Sequence, residues 1–245
     1  MKIKTILFDL DDTLLGNKME TFLPRYFDLL GQYAHSLFPN SKRLMQELMI
    51  GTQAMIASRD ATLTNREVFW KGFSERTGLK SEETERFFNR FYDEAFLELQ
   101  AVTEVRPSAV DLMQTCLERD IEVVIATNPL FPLRAIEHRL AWAGLSVENF
   151  DFALVTSYDN MHAAKPERAY YREILERVET EPERALMVGN DWENDIEPAA
   201  AVGMRVYWIT PRPESAPEPA LLTGSGTLEA FHQWLMAEID STLEA

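Results

Sequence analysis

Residues 3–13 are Ile3-Lys4-Thr5-Ile6-Leu7-Phe8-Asp9-Leu10-Asp11-Asp12-Thr13, and this stretch decides the fold. A short apolar run that ends in acidic residues is typical of a buried strand that delivers carboxylates to its C-terminal end. In open α/β sheets, ligands bind at that end of the strands. Asp9 and Asp11 there suit phosphoryl transfer, with one carboxylate as nucleophile and the other handling the proton. Taken alone, the stretch is equally compatible with a strand followed by a solvated acidic turn.

The composition indicates a folded and strongly acidic chain. It has 245 residues, of which 46% are hydrophobic, and a formal net charge of −16. Such a surface repels nucleic acid and anionic membranes, so we expect neither as a partner. Cys116 is the only cysteine, which excludes an intramolecular disulfide and a cysteine-rich metal site. We therefore expect a cytoplasmic protein with Cys116 in the core, and the sequence predicts no oligomeric state.

Short apolar runs alternate with amphipathic segments from about residue 105 onward. This alternation predicts parallel βαβ units with helices on both faces, and hence an α/β fold with a Rossmann-like parallel sheet of at least five strands. A Pro-rich loop at 211–219 precedes a closing helix from about residue 228. The predicted strands are 3–8, 121–126, 152–156, 185–188 and 205–209, and the predicted helices between the later strands are 107–119, 131–143, 166–178 and 194–202.

Residues 16–104 differ from the rest, because they show helical spacing and no convincing strand. Thr64-Asn65-Arg66-Glu67 predicts a capping box that opens a helix ending before Gly78. We expect an all-helical insert of about four helices, with core domain 1–15 and 105–245 around it. The insert holds 13 of the 26 aromatic residues. Most of these rings predict a bundle core, and some are candidates for the roof of an active site.

Three polar residues follow predicted strands of the core. Thr127 and Asn128 come directly after the strand that ends at 126, where a hydroxyl and an amide can bind phosphoryl oxygens. The alternative is an ordinary turn before a proline. Lys165 precedes the predicted helix 166–178 and can place a positive charge beside a phosphate. The alternative for Lys165 is a solvated surface lysine.

The segment 189–195 is Gly189-Asn190-Asp191-Trp192-Glu193-Asn194-Asp195 and follows the strand 185–188. Its acidic and amide oxygens suit Mg²⁺, which prefers hard oxygen ligands. The alternative is a helix N-terminus whose acidic residues complement the helix dipole.

The order of these four segments resembles the haloacid dehalogenase-like (HAD) hydrolase superfamily. The stretch 9–13 matches its first motif, Thr127 its second, Lys165 its third and the segment 189–195 its fourth. The insert 16–104 lies where that family carries a C1-type cap domain. The resemblance implies a Rossmann-like core whose first strand lies centrally in the sheet.

The resemblance also implies a role for each matching residue. It implies that Asp9 is the nucleophile and a metal ligand. It implies that Asp11 is the general acid/base and that its backbone carbonyl also binds the metal. Thr127 and Lys165 resemble the phosphoryl binders, with Asn128 beside them, and the fourth motif is expected to complete a Mg²⁺ site.

One departure from the family pattern affects the metal ligands. Many members have Gly-Asp where this chain has Gly189-Asn190. Either Asn190 keeps the ligand position through its amide oxygen, or Asp191 replaces it. Position favours Asn190, and Asp195 matches the second acidic ligand.

The function that this resemblance implies is a Mg²⁺-dependent phosphatase that hydrolyses a small phosphorylated metabolite through an aspartyl phosphate. Two alternatives stay open, a phosphotransferase such as a phosphomutase, and a catalytically silent phosphate-binding protein. A dehalogenase is disfavoured, because haloacid dehalogenases of the family lack the second acid, which Asp11 supplies here.

Overall fold

A computed structural model describes residues 2–243 of the chain. Six parallel strands form one sheet in the order β5-β4-β1-β6-β7-β8, and β2 pairs with β3 in a small antiparallel sheet. In chain order the strands are β1 (Thr5–Phe8), β2 (Leu15–Gly16), β3 (Glu104–Val105), β4 (Glu122–Ile125), β5 (Leu154–Val155), β6 (Ala185–Gly189), β7 (Arg205–Ile209) and β8 (Gly224–Gly226).

Helices cover both faces of the six-stranded sheet. They are α1 (Met19–Tyr33), α2 (Ser41–Ala57), α3 (Asn65–Thr77), α4 (Ser81–Asp93), α5 (Pro107–Glu118), α6 (Leu133–Trp142), α7 (Arg168–Arg177), α8 (Glu197–Ala200) and α9 (Leu228–Leu243). A π-helical turn, Trp192–Ile196, leads directly into α8. None of the helices described is long and apolar enough to cross a membrane.

Strand β1 lies inside the sheet because both of its faces are apolar. Ile6 and Phe8 pack in the hydrophobic cluster that includes side chains of α5, α6 and α9, whereas Leu7 packs in the cluster of α7 and α8. This alternation follows from the two-residue period of a strand. The strand pairs in parallel with β4 on one side and β6 on the other. The α/β class and the parallel sheet are therefore as predicted.

The segment between β2 and β3 contains α1 to α4 and a 3₁₀ helix, Ala95–Val102. Its aromatic side chains interlock, and Phe96 also stacks on Trp142 of α6, with ring centroids 5.4 Å apart. The predicted capping box is present, since Thr64 and Glu67 cap α3 reciprocally and Gly78 ends it in a left-handed conformation. The limits of a cap domain at 16–104 stay a prediction.

Strand β8, a Gly-Ser-Gly segment between the Pro-rich loop and α9, was not predicted from the sequence. A Cβ atom at Gly224 would lie 2.7 Å from the Tyr207 ring, so this strand packs closely on β7 because it lacks a side chain there. Strand β5 is shorter than the predicted 152–156 and lies at the opposite edge of the sheet.

Candidate active site

The central strand delivers Asp9 and Asp11 to the C-terminal edge of the sheet. The Asp9 backbone N–H donates to the Val188 carbonyl at 2.9 Å, which extends the parallel pairing of β1 with β6 by one residue. The chain then turns, and the Leu10 carbonyl accepts three backbone hydrogen bonds from residues 13–15. Asp9 and Asp11 both line one cavity as a result.

Lys165 joins two buried carboxylates from different strand ends. Its Nζ donates to Asp9 Oδ1 at 2.8 Å and to Asp195 Oδ1 at 2.6 Å. Only 2% of the Lys165 surface is exposed, so it is not the solvated surface lysine of the alternative interpretation. The structure therefore brings residues predicted from the first, third and fourth motifs into direct contact.

Burial dominates the electrostatics of this group. It raises the pKa of Asp9 to about 7, against the attraction of Lys165 and with a contribution from the negative charge of Asp195. Burial likewise raises the pKa of Asp195, again against Lys165. Burial alone would lower the pKa of Lys165, but Asp195 and Asp9 outweigh it and hold that pKa well above its usual value. One ammonium thus faces two buried carboxylates, which leaves an excess negative charge when both are ionised.

The carboxylate of Asp11 is held by two donors from different parts of the chain. Asn17 Nδ2 donates to Oδ1 at 2.7 Å, and Arg139 Nη1 donates to Oδ2 at 2.6 Å. The sequence analysis identified neither donor. A signal for Arg139 was present, since it lies four residues after Ala135 on the buried face of α6.

Thr127 and Asn128 follow β4 and also line the cavity. The Thr127 backbone carbonyl accepts hydrogen bonds from Thr156 Oγ1 and from the Tyr170 hydroxyl, both at 2.8 Å. These bonds fix the backbone at the strand end. Asn128 Oδ1 is buried and has no hydrogen-bond partner among the described residues. A buried polar atom without a partner is uncommon and is often a sign of a ligand site.

The two candidate metal ligands in the segment after β6 differ in how many hydrogen bonds already engage their side-chain oxygens. Asp191 Oδ1 accepts from the backbone N–H groups of Glu193 and Asn194, and Asp191 Oδ2 accepts from Asn194 Nδ2, so this carboxylate caps the π-helical turn. Within the described residues, Asn190 Oδ1 accepts one hydrogen bond, from Thr13 Oγ1 at 3.2 Å. The oxygen of Asn190 is therefore the more available of the two.

Gly189 is required by the position of Asp195. A Cβ atom at Gly189 would lie 2.2 Å from Asp195 Oδ2. The same oxygen accepts from the Asp191 backbone N–H at 3.0 Å, which orients the carboxylate toward Lys165. The glycine thus makes room for a buried acid beside the end of β6.

The cavity has a volume of about 690 Å³ and two kinds of wall. The wall at the sheet edge is polar and contains the residues described above. The opposite wall comes largely from the helical segment between β2 and β3 and is mostly apolar, with Glu20, Thr52 and Asn89 as polar exceptions. Part of the aromatic excess of this segment lines the cavity, as expected. Its aromatic lining consists of Tyr26, Phe27, Phe69, Trp70, Phe88 and Tyr92.

The donor set fits a divalent cation by charge and chemistry. Asp9, Asp195 and the amide oxygen of Asn190 are hard oxygen ligands at one edge of the sheet, and the excess buried charge favours a cation. Within residues 2–243, no three His, Cys, Asp or Glu side chains are grouped as a ready metal site. The Lys165 ammonium lies between the carboxylates of Asp9 and Asp195.

Comparison with known proteins places this geometry in a family. The model of the haloacid dehalogenase-like hydrolases matches residues 3–203, so the chain belongs to this family. Phosphoglycolate phosphatase 1 of Pseudomonas aeruginosa is 28% identical over 207 residues, covering 84% of this chain and 69% of the relative. A phosphoglycolate phosphatase of Rhodospirillum rubrum is 28% identical over 204 residues, covering 83% and 78%. The predicted family is confirmed, and the predicted enzyme class, a phosphoric monoester hydrolase, agrees with both relatives.

Two solved structures share the fold. A HAD phosphatase from Thermococcus onnurineus superposes with a TM-score of 0.56 at 23% identity, covering 95% of this chain and 98% of that one. A 2-haloacid dehalogenase from Pseudomonas syringae superposes with a TM-score of 0.61 at 22% identity, covering 96% and 99%.

Proposed function

We propose that the protein is a Mg²⁺-dependent phosphatase that hydrolyses a small phosphorylated metabolite through a phosphorylated Asp9. The observation that carries this proposal is the buried contact of Lys165 with Asp9 and Asp195 at the end of the central strand, in the cavity that Asp11 also lines. A buried nucleophile, a fixed positive charge and a second acid in one cavity are the groups that this reaction needs.

In the first step, a carboxylate oxygen of Asp9 attacks phosphorus and the ester P–O bond breaks. The leaving oxygen takes a proton from Asp11. In the second step, water attacks the phosphorus of the aspartyl phosphate while Asp11 takes its proton, which releases phosphate and restores Asp9. Lys165, Thr127 and Asn128 bind the phosphoryl oxygens and orient them.

Asp9, Asp195, Asn190 and the backbone carbonyl of Asp11 are the proposed Mg²⁺ ligands. Asp191 stays the alternative to Asn190, although its carboxylate caps the turn after β6 and is the less available of the two. The metal offsets the negative charge that the phosphate dianion adds to a cavity already rich in carboxylates. It also favours ionised Asp9, whose pKa is otherwise raised to about 7 by burial.

The helical segment 16–104 acts in this proposal as a cap that opens and closes over the sheet edge. It joins the core at two points, and β2 pairs with β3 there, so the two connections lie side by side. Closure excludes water from Asp9 during phosphoryl transfer, and opening admits substrate and water.

The relatives are phosphoglycolate phosphatases, so 2-phosphoglycolate is the first compound to test. A cytoplasmic location remains a prediction.

Phosphate release from a panel of small phosphomonoesters tests the function. The wild-type protein should release phosphate with Mg²⁺ and lose activity with EDTA. Asp9→Asn should abolish release while the protein stays folded, since the amide is nearly isosteric. Asp12→Asn is the matched control, because Asp12 belongs to the same motif but pairs with Arg106. Equal activity of wild type and Asp9→Asn would contradict the proposal.

The same assay separates the alternatives. With a sugar acceptor present, a phosphotransferase would form more phosphorylated acceptor than free phosphate. A silent phosphate-binding protein would bind phosphate and release none from any ester.

A further inference from the structure

Arg139 is a buried cation that the proposed reaction does not yet use. It lies on α6 and is 1% exposed. Within residues 2–243, the cavity lining contains only two basic side chains, Arg139 and Lys165. Lys165 is engaged by Asp9 and Asp195. Arg139 is therefore the positive charge available to the part of the cavity away from those two carboxylates.

The hydrogen bonds of Arg139 are incomplete. Its Nη1 donates to Asp11 Oδ2 at 2.6 Å, its Nε is 3.4 Å from the Ala135 carbonyl of the same helix, and its guanidinium lies over the Phe131 ring at 4.9 Å. Its Nη2 is buried and has no hydrogen-bond partner in the part of the chain that the structure describes. Leaving a buried, charged donor unpaired is costly, so an acceptor from a ligand would stabilise this arrangement.

The surroundings of Nη2 select the kind of acceptor. The other unpartnered buried atoms found in the described part of the lining, Asn17 Oδ1 and Asn128 Oδ1, are acceptors, so Arg139 Nη2 is the donor among them. The hydroxyls of Tyr26 and Tyr92 bond to each other at 3.1 Å. A guanidinium matches a carboxylate in both charge and planar geometry. The ligand group that fits Nη2 is therefore a carboxylate.

The contact with Asp11 determines where that carboxylate lies in the substrate. Asp11 delivers the proton to the ester oxygen in the proposed reaction, and the same guanidinium holds Asp11. Nη1 and Nη2 belong to the same guanidinium, so an acceptor on Nη2 lies near the ester oxygen that Asp11 protonates in the proposed reaction. A carboxylate on the carbon next to the one that carries this oxygen fits such a place. A phosphorylated 2-hydroxy acid has its carboxylate at that position.

We propose that Arg139 Nη2 binds the carboxylate of the leaving group and makes the enzyme selective for phosphorylated 2-hydroxy acids. This inference rests on the proposed phosphatase function. It gives Arg139 two roles, since Nη1 positions Asp11 while Nη2 recognises the substrate.

The test compares two substrates that differ in the carboxylate, 2-phosphoglycolate and ethyl phosphate, by kcat/KM with Mg²⁺. The wild-type protein should prefer 2-phosphoglycolate by on the order of 10- to 100-fold, the range of one charge-assisted hydrogen bond. Arg139→Met should lower activity on both substrates, because Asp11 loses its partner, and should bring their ratio close to one. Arg139→Lys should keep part of the preference. Arg134→Met is the matched control on the same helix, where Arg134 pairs with Asp93, and it should keep the wild-type ratio.

Two results would overturn the inference. One is a wild-type ratio near one, which requires no variant and stands even if Arg139→Met fails to fold. The other is an Arg139→Met protein that loses activity equally on both substrates, which would leave Arg139 as a positioning residue for Asp11 alone. In both cases hydrolysis of ethyl phosphate would show that the phosphatase function stands. No phosphate release from any ester in the panel would instead refute the function, and this inference with it.

Discussion

Replacing Lys165 by Met removes the single ammonium that faces two buried carboxylates. Lys165 Nζ lies 2.8 Å from Asp9 Oδ1 and 2.6 Å from Asp195 Oδ1, and all three residues are buried. A methionine fills most of the same volume, so the substitution mainly changes charge. Removing one partner of a buried ion pair typically costs about 3–5 kcal/mol, because the other charge is left unpaired. For a domain of this size, we expect the Tm to fall by roughly 10 °C.

The destabilisation should depend on pH. Burial already raises the pKa of Asp9 to about 7 and raises that of Asp195, and loss of Lys165 raises both further. When folding raises the pKa of a carboxyl group, that group stabilises the folded protein at pH values below the pKa it has in the unfolded chain. This stabilisation is lost as the pH rises through the pKa that the group has in the folded protein. The difference in free energy of unfolding between wild type and Lys165→Met should therefore be largest above about pH 8 and smallest near about pH 5.

Urea denaturation at several pH values in EDTA measures this effect without a metal contribution. Lys80→Met is the matched control, since Lys80 pairs with Glu83 on an exposed helix surface and should cost less than about 1 kcal/mol. Adding Asp195→Asn to Lys165→Met should restore part of the lost stability. A pH-independent loss, or one no larger than that of the control, would refute the charge argument.

Three further predictions concern the same site and its cap. Gly189→Ala should destabilise the protein by about 1–3 kcal/mol and lower activity, because its Cβ would overlap Asp195 Oδ2; normal urea stability and activity would contradict this. Asn190→Ala should weaken Mg²⁺ activation more than Asp191→Ala does. Asp191→Ala should instead lower the free energy of unfolding by about 1 kcal/mol, because a helix cap is lost. A Mg²⁺ titration of activity that ranks the two variants in reverse would make Asp191 the ligand. A small phosphoester should react faster than a phosphopeptide, and preference for the phosphopeptide would contradict a restrictive cap.

The core of the fold was predictable because its strands are buried on both faces. The runs that form β1, β4, β6 and β7 carry apolar side chains toward both layers of helices, and such runs are visible in the sequence. Strand β8 was not predictable in this way. Its Gly-Ser-Gly sequence has no apolar side chain, and its place depends on close packing against the Tyr207 ring, which only the folded chain supplies.

The site was predictable to the extent that its residues follow strand ends. Asp9, Lys165 and Asp195 meet because parallel strands deliver them to one edge of the sheet. Arg139 lies inside a helix, where an arginine normally predicts a solvent-facing position, and only its spacing from Ala135 indicates the buried face. Its guanidinium donates to Asp11, which comes from another element and could not be paired with it from the sequence. The sequence alone does not rank Asn190 and Asp191, since both residue types occur at metal sites and at helix caps. The hydrogen bonds that engage the Asp191 carboxylate in the folded chain favour Asn190 as the proposed ligand.

Mass spectrometry of the protein quenched in acid during turnover of a phosphomonoester that it hydrolyses tests the central claim most directly. Acid preserves an acyl phosphate, and peptide mapping locates it. The account predicts one phosphorylated peptide, modified at Asp9, which disappears on treatment with hydroxylamine and is absent from Asp9→Asn. A phosphoryl group on any other residue, or turnover with no trapped phospho-enzyme under conditions that slow its hydrolysis, would contradict Asp9 as the nucleophile.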